Sequence, residues 1–334
     1  MNTDFCNGKA CKVDSEKLKE KILKECENLI GVTIQKGYFP GSQPVAVEKK
    51  DFTVLKEKKY VVCEKSDGER GILALINIDN KPMCFIIKRN NEILFLQLSF
   101  KKEVFEGSIF DGEIIKTKKG VWNYLIHDCL VYNSSNFMKI DHSLRYAAIL
   151  DLISKRYVNN ENDVFNIKTK LFYPYFPNEI NKQGISKTWE QICKTTENKI
   201  DGLIFTPINE PITIGRQYSL FKWKEQNENT IDLLVKKSKK DLVLYFHKNG
   251  NNVSFRNINI NDINHELIMD FFILNKIESL LTTGVIIEFK YSSENEELFT
   301  PYRIRDDKDK PNGEITVKNT LKNIEECICI EDFV

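Results

Sequence analysis

Several features are missing from this sequence, and each absence narrows the reading. Nine cysteines are scattered through 334 residues without one Cys-x-x-Cys pair, so zinc-ligand spacing of that kind is not present. No apolar leader follows Met1, and no apolar run reaches the length of a membrane span. The expected setting is therefore an intracellular compartment with reduced thiols, no zinc site and no membrane. Neither sign of charge is in excess, since 49 basic and 48 acidic residues leave a net charge of +1. Any contact with nucleic acid has to come from a local basic groove rather than from bulk charge. The length suffices for a sizeable core, and for two domains or one large domain with an appendage.

What is present centres on the stretch from Tyr60 to Gly71 with Ile72 to Ile76 behind it. Two apolar, strand-like runs flank a polar segment, and Asp67-Gly68 marks a turn between them. Lys65 falls at the end of the first run, with Asp67 and Arg70 close by. An amine held there can act as a nucleophile once its surroundings free its lone pair. A Lys, an Asp and an Arg within six positions also make an ordinary surface turn.

In chain order, residues 1–13 read as a frayed tail. The spacing of Leu18, Ile22, Cys26, Leu29 and Ile30 predicts a helix capped by Asp14 and ended by Gly31. Phe39-Pro40-Gly41-Ser42-Gln43-Pro44 reads as a loop, since its prolines and glycine oppose regular structure. Short apolar runs predict strands over 83–87, 93–98, 108–115, 122–131, 201–206 and 218–223. Two helices interrupt them. One covers about 143–157, with Leu144, Ala148, Ile149, Leu152 and Ile153 on one side. The other covers about 186–199, with Trp189, Ile192 and Cys193 inward. Strands in series with few crossover helices predict antiparallel sheets. Beyond about residue 228, strands over 231–235, 242–246, 253–258 and 285–291 surround a helix over 266–281. That pattern suits a small closed barrel of the oligonucleotide-binding type.

Polar groups recur at strand ends. Asp111-Gly112-Glu113 interrupts an apolar strand and puts two carboxylates on one face. Asp128 breaks the run from Tyr124 to Val131, Asp201-Gly202 opens Leu203-Ile204-Phe205, and Lys222 and Lys224 flank Trp223 on one face. Each alone reads as a turn or a solvated edge. Together with Lys65 they suggest a pocket of carboxylates and amines, a mixture suited to a nucleotide: amines neutralise phosphates, and carboxylates hold a divalent metal or ribose hydroxyls.

These segments carry a resemblance. Lys65-x-Asp67-Gly68-x-Arg70 is similar to the nucleotidyl-lysine motif of covalent nucleotidyltransferases, the superfamily of polynucleotide ligases and mRNA capping enzymes. Asp111-Gly112-Glu113, Tyr124 through Asp128, Asp201 through Phe205, and Leu220 through Lys224 follow in the family's order. The segments Arg303 through Asn312, Phe39 through Val45, and Asn229-Thr230-Ile231-Asp232 resemble capping guanylyltransferases in particular. The similarity runs from about residue 30 to 325.

The resemblance implies an α+β fold: an antiparallel-sheet nucleotidyltransferase domain over 14–228, with room to receive the C-terminal segment, and a C-terminal OB-fold lid domain over 229–325. It implies that Lys65 takes GMP from GTP as a phosphoramidate and passes it to the 5′-diphosphate end of RNA, forming a GpppN cap, with Mg²⁺ or Mn²⁺. The catalytic residues implied are Lys65, Arg70, Lys222, Lys224, Arg305, Asp307 and Lys308. Nucleotide contacts would come from Lys65, Asp67, Gly68, Arg70, Asp111, Glu113, Tyr124, Asp128, Asp201, Lys222, Lys224 and Arg305. Asp201 and Glu113 would serve the metal. Arg305, Asp307 and Lys308 would swing over the β- and γ-phosphates, with Arg303 assisting or only supporting that loop.

His127 and Asp201 depart from the family pattern, which generally has a bulky apolar residue at the first and often Glu at the second. No His-Cys-x-x-Gly-x-x-Arg phosphatase signature occurs, so an RNA triphosphatase and a cap methyltransferase are expected on separate chains. The setting implied is the nucleus. Lys236-Lys237 and Lys239-Lys240 are candidates for docking the phosphorylated tail of RNA polymerase II, or are solvated turns. The rival reading is an ATP-dependent RNA or DNA ligase with a lysyl-AMP intermediate. A catalytically dead nucleic-acid-binding module would lack Lys65, Arg70, Glu113 or Asp201, and all four are present.

Overall fold

The computed structural model describes residues 5–34, 40–176, 184–291, 299–306 and 308–333. Phe39 and Asp307 lie outside the described residues. The chain divides into two compact units, Met1–Val45 with Asp51–Trp223, and Ala46–Lys50 with Lys224–Phe333. The first unit thus includes residues expected to form a frayed tail, and the long segment of the second runs from Lys224.

Two sheets build the first unit. The order in the larger is Cys11–Lys12, Ile93–Leu96, Lys81–Lys88, Glu69–Ile78, Ser108–Lys116, Trp122–Tyr132 and Asn166–Thr169, with Ser135–Asn136 also paired to Trp122–Tyr132. The Glu69–Ile78 strand is buried on both faces. Leu73 and Leu75 pack with Ala148 and Ile149 of the His142–Asp151 helix and with Leu152 just past its end. Ile72, Ala74 and Ile76 pack with Ile22, Cys26 and Ile30 of the Glu16–Ile30 helix. A near-continuous apolar run is what a strand covered on both sides requires. Pairing is antiparallel except that Asn166–Thr169 runs parallel to 123–126, the one departure among these pairings from the expected antiparallel pattern. The helix at 142–151 supplies the crossover that a parallel neighbour needs.

The smaller sheet has the order Tyr173–Tyr175, Tyr60–Ser66, Ile200–Pro207, Gly215–Trp223 and Ser42–Ala46. The segment expected to be a loop thus forms an edge strand from Ser42. Pro44 is tolerated because an edge strand leaves one side of its backbone without a ladder partner.

Other expectations are corrected as well. Residues 5–13 are not frayed: Cys11–Lys12 pairs with the Ile93–Leu96 strand, and Cys6 and Val13 are buried. The first helix is capped by Ser15, whose hydroxyl accepts from Leu18 N–H, and not by Asp14. Gly31 ends that helix at φ +80°, and its N–H donates to Glu27 O. The second predicted helix ends at Asp151, and a π-helical turn, Leu152–Arg156, follows. On it, Leu144 is exposed rather than packed. In the Ile185–Thr195 helix Ile185 and Ile192 are buried, whereas Cys193 is exposed.

The second unit contains a five-stranded antiparallel sheet in the order Asn251–Ile258, Asp241–Lys248, Thr230–Ser238, Val285–Tyr291 and Phe299–Ile304. Ile231, Leu233, Val235, Leu242, Leu244, Ile287 and Phe289 form its core with Ile268, Phe272 and Val317. Ile268 and Phe272 come from the Ile263–Leu274 helix, which stops at Asn275, before a separate 3₁₀ turn at Glu278–Leu281. Val317 comes from Glu314–Glu326, a helix the sequence reading did not anticipate.

Candidate active site

Lys65 is the penultimate residue of the Tyr60–Ser66 strand, followed by the turn at Asp67-Gly68. The adjacent Ile200–Pro207 strand pairs Ile200 with Ser66 and Leu203 with Glu64, so it carries an irregularity between these points. A bulge re-aims side chains, and here Asp201 Oδ1 comes to lie 2.6 Å from Lys65 Nζ. Asp67 holds the turn through its backbone, donating its N–H to Lys199 O at 2.9 Å. Gly68 admits no side chain, because a Cβ there would lie 2.5 Å from Ile114 O and 2.9 Å from Glu113 Cγ. This close approach sets the lysine's turn against the strand that carries Asp111 and Glu113.

The register places Lys222 on the lysine's own face. Cys63 lies opposite Ile204, and Ile204 opposite Lys222. Lys65 is two residues beyond Cys63, so all four project to one side. The strand ends at Trp223, so Lys224, expected on the same strand, lies one residue beyond it.

On the larger sheet Arg70 lies opposite Glu113, and Ile72 opposite Asp111. Arg70, Asp111 and Glu113 therefore share a face. Arg70 Nε donates to Asp111 Oδ1 at 2.9 Å, Nη2 donates to Oδ2, and Nη2 also reaches Ser42 O at 2.7 Å. The Pro40–Pro44 segment thus closes on Arg70. Burial opposes both charges, but each is outweighed by its partner. The guanidinium is held above its usual value by Asp111, and the Asp111 carboxyl well below the usual carboxylate range by Arg70 and then His127. His127 Nε2 stands 3.3 Å from Asp111 Oδ1.

Glu113 is matched by Lys170, a residue the sequence reading missed. Lys170 Nζ lies 3.0 Å from Glu113 Oε2 and 3.2 Å from Glu64 O. It is buried, yet Glu113 outweighs burial and holds the amine above its usual value. Its only sequence signal is its place just after the Asn166–Thr169 strand, which does not separate it from the many other lysines. Glu64 accepts from Ser66 Oγ, Asn198 Nδ2 and Thr196 Oγ1 at 2.9, 2.5 and 2.7 Å, and so fastens the lysine strand to the 196–198 segment.

Tyr124 and Asp128, both expected at the nucleotide, have partners within the protein. Tyr124 is fully buried, stacked on Phe165, with its hydroxyl donating to Gly71 O at 2.8 Å and accepting from Leu73 N–H at 3.2 Å. Gly112 makes room for it, since a Cβ would lie 2.5 Å from the ring. Asp128 is engaged by Arg145, whose Nε donates at 2.7 Å and which is itself buried. In the second unit Arg305 and Lys308 both pair with Asp232, and Arg303 pairs with Glu288.

Among the described residues no three His, Cys, Asp or Glu side chains cluster as metal ligands. No helix there is long and apolar enough to cross a membrane.

Comparison with known proteins agrees with this geometry. Residues 2–226 match the family model of the mRNA capping enzyme catalytic domain, and residues 213–334 that of its C-terminal domain. The "mRNA-capping enzyme subunit alpha" of Schizosaccharomyces pombe is 27% identical over 89% of this chain and 79% of its own length. The protein of the same description from Saccharomyces cerevisiae is 31% identical over 58% of this chain, and the match spans 47% of its length. The "mRNA-capping enzyme" of Mus musculus is 29% identical over 59% of this chain and 34% of its own length. By these two family-model matches the chain belongs to the mRNA capping enzyme family and is a guanylyltransferase.

Proposed function

We propose that the chain transfers GMP from GTP through Lys65 to the 5′-diphosphate end of RNA, forming a GpppN cap. The observation that carries this reading is the Lys65–Asp201 pair, 2.6 Å apart on neighbouring strands of a sheet that also bears Lys222 on the lysine's face. In the first half-reaction Lys65 Nζ attacks the α-phosphorus, forming a P–N bond as the bond to the bridging oxygen of pyrophosphate breaks. In the second, an oxygen of the RNA's terminal phosphate attacks the same phosphorus and releases Lys65. An ammonium has no lone pair, so Lys65 must shed its proton first. Lys222 would oppose protonation and stabilise charge at the α-phosphorus. Arg70 and Glu113, fixed by Asp111 and Lys170, would meet the ribose or the adjacent phosphate.

Asp201 and Glu113 are carboxylates, the hard oxygen donors that Mg²⁺ or Mn²⁺ takes, and such ions fill their remaining positions with water and phosphate oxygens. When bound, the metal would supply charge neutralisation at the phosphates. The second unit would be an OB-fold lid, a reading supported by its five antiparallel strands and the helix between Asn251–Ile258 and Val285–Tyr291. It would bring Arg305, Asp307 and Lys308 to the β- and γ-phosphates and orient pyrophosphate for departure. Work in the nucleus would follow, with a separate RNA triphosphatase and cap methyltransferase, and with the polymerase tail as the partner for Lys236, Lys237, Lys239 and Lys240.

Incubation with α-³²P-labelled GTP or ATP and Mg²⁺, followed by a denaturing gel, tests the reading. A band labelled by GTP, removed by pyrophosphate and absent from Lys65→Ala, is expected. Labelling by ATP alone would make the chain a ligase-type adenylyltransferase, and no label from either would end the proposal.

A further inference from the structure

In the second unit, Asp232 lies directly opposite Glu288 on neighbouring antiparallel strands. Both are buried, at 4% and 7% exposure, and like charges in that relation repel. Cations shared between the two offset the repulsion. Arg305 Nη1 lies 2.9 and 3.2 Å from the two Asp232 oxygens and 3.3 Å from Glu288 Oε2. Lys308 Nζ donates to Asp232 Oδ2, and Arg303 Nε donates to Glu288 Oε2.

Asn312 completes the arrangement from the far end of the same segment. Its Nδ2 donates to Asp232 Oδ2 at 3.2 Å, its Oδ1 accepts the Asp232 N–H at 2.9 Å, and its own N–H donates to Asp232 O at 2.8 Å. Backbone bonds from Arg305 N–H to Ile286 O and from Lys308 N–H to Arg305 O fold the turn between the two cations. Arg303, Arg305, Lys308 and Asn312 are thus all gathered on one opposed acidic pair.

We propose that Asp232 and Glu288 are positioning residues for the first half-reaction, holding Arg305 and Lys308 in the orientation that receives the β- and γ-phosphates of GTP. The inference rests on the phosphate role given above to Arg305 and Lys308. Neither carboxylate would itself touch the nucleotide, because an anion aimed at a triphosphate opposes its binding. Their effect passes through the cations they fix. Misorientation of such groups by about 1 Å can cost on the order of 100-fold in rate. The second half-reaction begins after pyrophosphate has left, so it does not draw on this arrangement.

The test compares wild type with Asp232→Asn, Glu288→Gln, Arg305→Ala and the double variant Asp232→Asn/Arg305→Ala. Three quantities are read: the rate constant and KM for lysyl-GMP formation from GTP, GMP transfer from fully loaded enzyme to diphosphate-ended RNA, and thermal unfolding. Asp232→Asn is expected to slow adduct formation on the order of 100-fold, to leave transfer within about three-fold, and to add little to Arg305→Ala, as residues acting as one unit do. Equal loss in both half-reactions, full additivity with Arg305→Ala, or no loss would overturn the proposal. If Arg305→Ala leaves adduct formation intact, the phosphate role of Arg305 falls. A defect in Asp232→Asn would then be shown not to pass through Arg305, which also overturns it. Should Asp232→Asn fail to fold, Glu288→Gln is read by the same criteria.

Discussion

Lys65 Nζ and Asp201 Oδ1 stand 2.6 Å apart because the Ile200–Pro207 strand slips its register where it passes the end of the lysine's strand. An unbroken ladder would carry Asp201 past the amine. The slip makes this carboxylate the lysine's partner, and the same carboxylate is the one proposed to face the metal and the α-phosphate. Asp201→Asn preserves the shape and removes the charge. Adduct formation from GTP should fall by about 10²–10³-fold, the range found when one electrostatic partner of a transition state is lost. The melting temperature should change little, since both side chains retain some solvent contact. Wild-type labelling kinetics in this variant would remove Asp201 from the mechanism.

Arg70 and Asp111 are a different kind of pair, bidentate, with Asp111 buried and Arg70 partly buried. Replacing Asp111 by Asn leaves a largely desolvated guanidinium without this counter-charge, a change that costs up to about 3–5 kcal/mol. The loss should depend on pH. The native Asp111 carboxyl is held well below its usual range by Arg70 and His127 against the effect of burial. A depressed native value stabilises the fold above the unfolded value of about 3.9, and that contribution disappears as pH falls through the native one. Urea unfolding should therefore show a wide gap between wild type and Asp111→Asn at pH 7 that narrows below about pH 4. A gap of constant width across that range would mean that the pair does not carry the stability assigned to it.

Much of this arrangement was legible in the sequence because motif order survives folding. Lys65, Asp67 and Arg70 stand out as a polar turn between two apolar runs, and Asp111, Glu113 and Asp201 as polar groups in or at the start of others, and the strands lie close to where those runs put them. Partners set by register were not legible. Whether Asp201 faces Lys65 depends on a bulge, and whether Glu113 meets Lys170, 57 positions later, depends on the parallel strand just before that lysine. Pro44 and Gly41 suggested a loop because local propensity cannot show that an edge of the smaller sheet awaits a strand. The same limit hid residues 5–13, whose Cys11–Lys12 strand is defined by its partner at Phe95 and Leu94 rather than by any periodicity of its own.

The cysteines offer a check on packing that is independent of catalysis. Cys6, Cys26, Cys63, Cys84 and Cys129 are buried, while Cys11, Cys193, Cys327 and Cys329 are exposed. Burial pushes the thiols of Cys6, Cys26, Cys63 and Cys84 up to about 12, so at neutral pH they carry almost no thiolate, the reactive form. A thiol reagent should titrate the four exposed cysteines of the native protein and all nine in denaturant. Cys63 is the informative one, because it lies on the face that bears Lys65 and Lys222. Its rapid modification in the native state would contradict the packing described around the lysine strand.

Tyr124 separates a nucleotide contact from a scaffold role. Its hydroxyl takes part in three hydrogen bonds, to Gly71 O, Phe110 O and Leu73 N–H, and no part of the side chain reaches solvent. Those bonds join the Arg70 strand, the Asp111–Glu113 strand and the tyrosine's own strand behind the site. Tyr124→Phe keeps the ring stacked on Phe165 and leaves the backbone groups at Gly71, Phe110 and Leu73 without this partner. The expected cost is about 1–3 kcal/mol of stability, the penalty for stranding buried polar groups. KM for GTP should stay within about three-fold of wild type, because a scaffold loss of that size does not remove a ligand contact worth a tenfold change. Equilibrium unfolding in urea and saturation kinetics of adduct formation distinguish the outcomes. A tenfold rise in KM at unchanged stability would return Tyr124 to the nucleotide and reject its role as a strut between the strands.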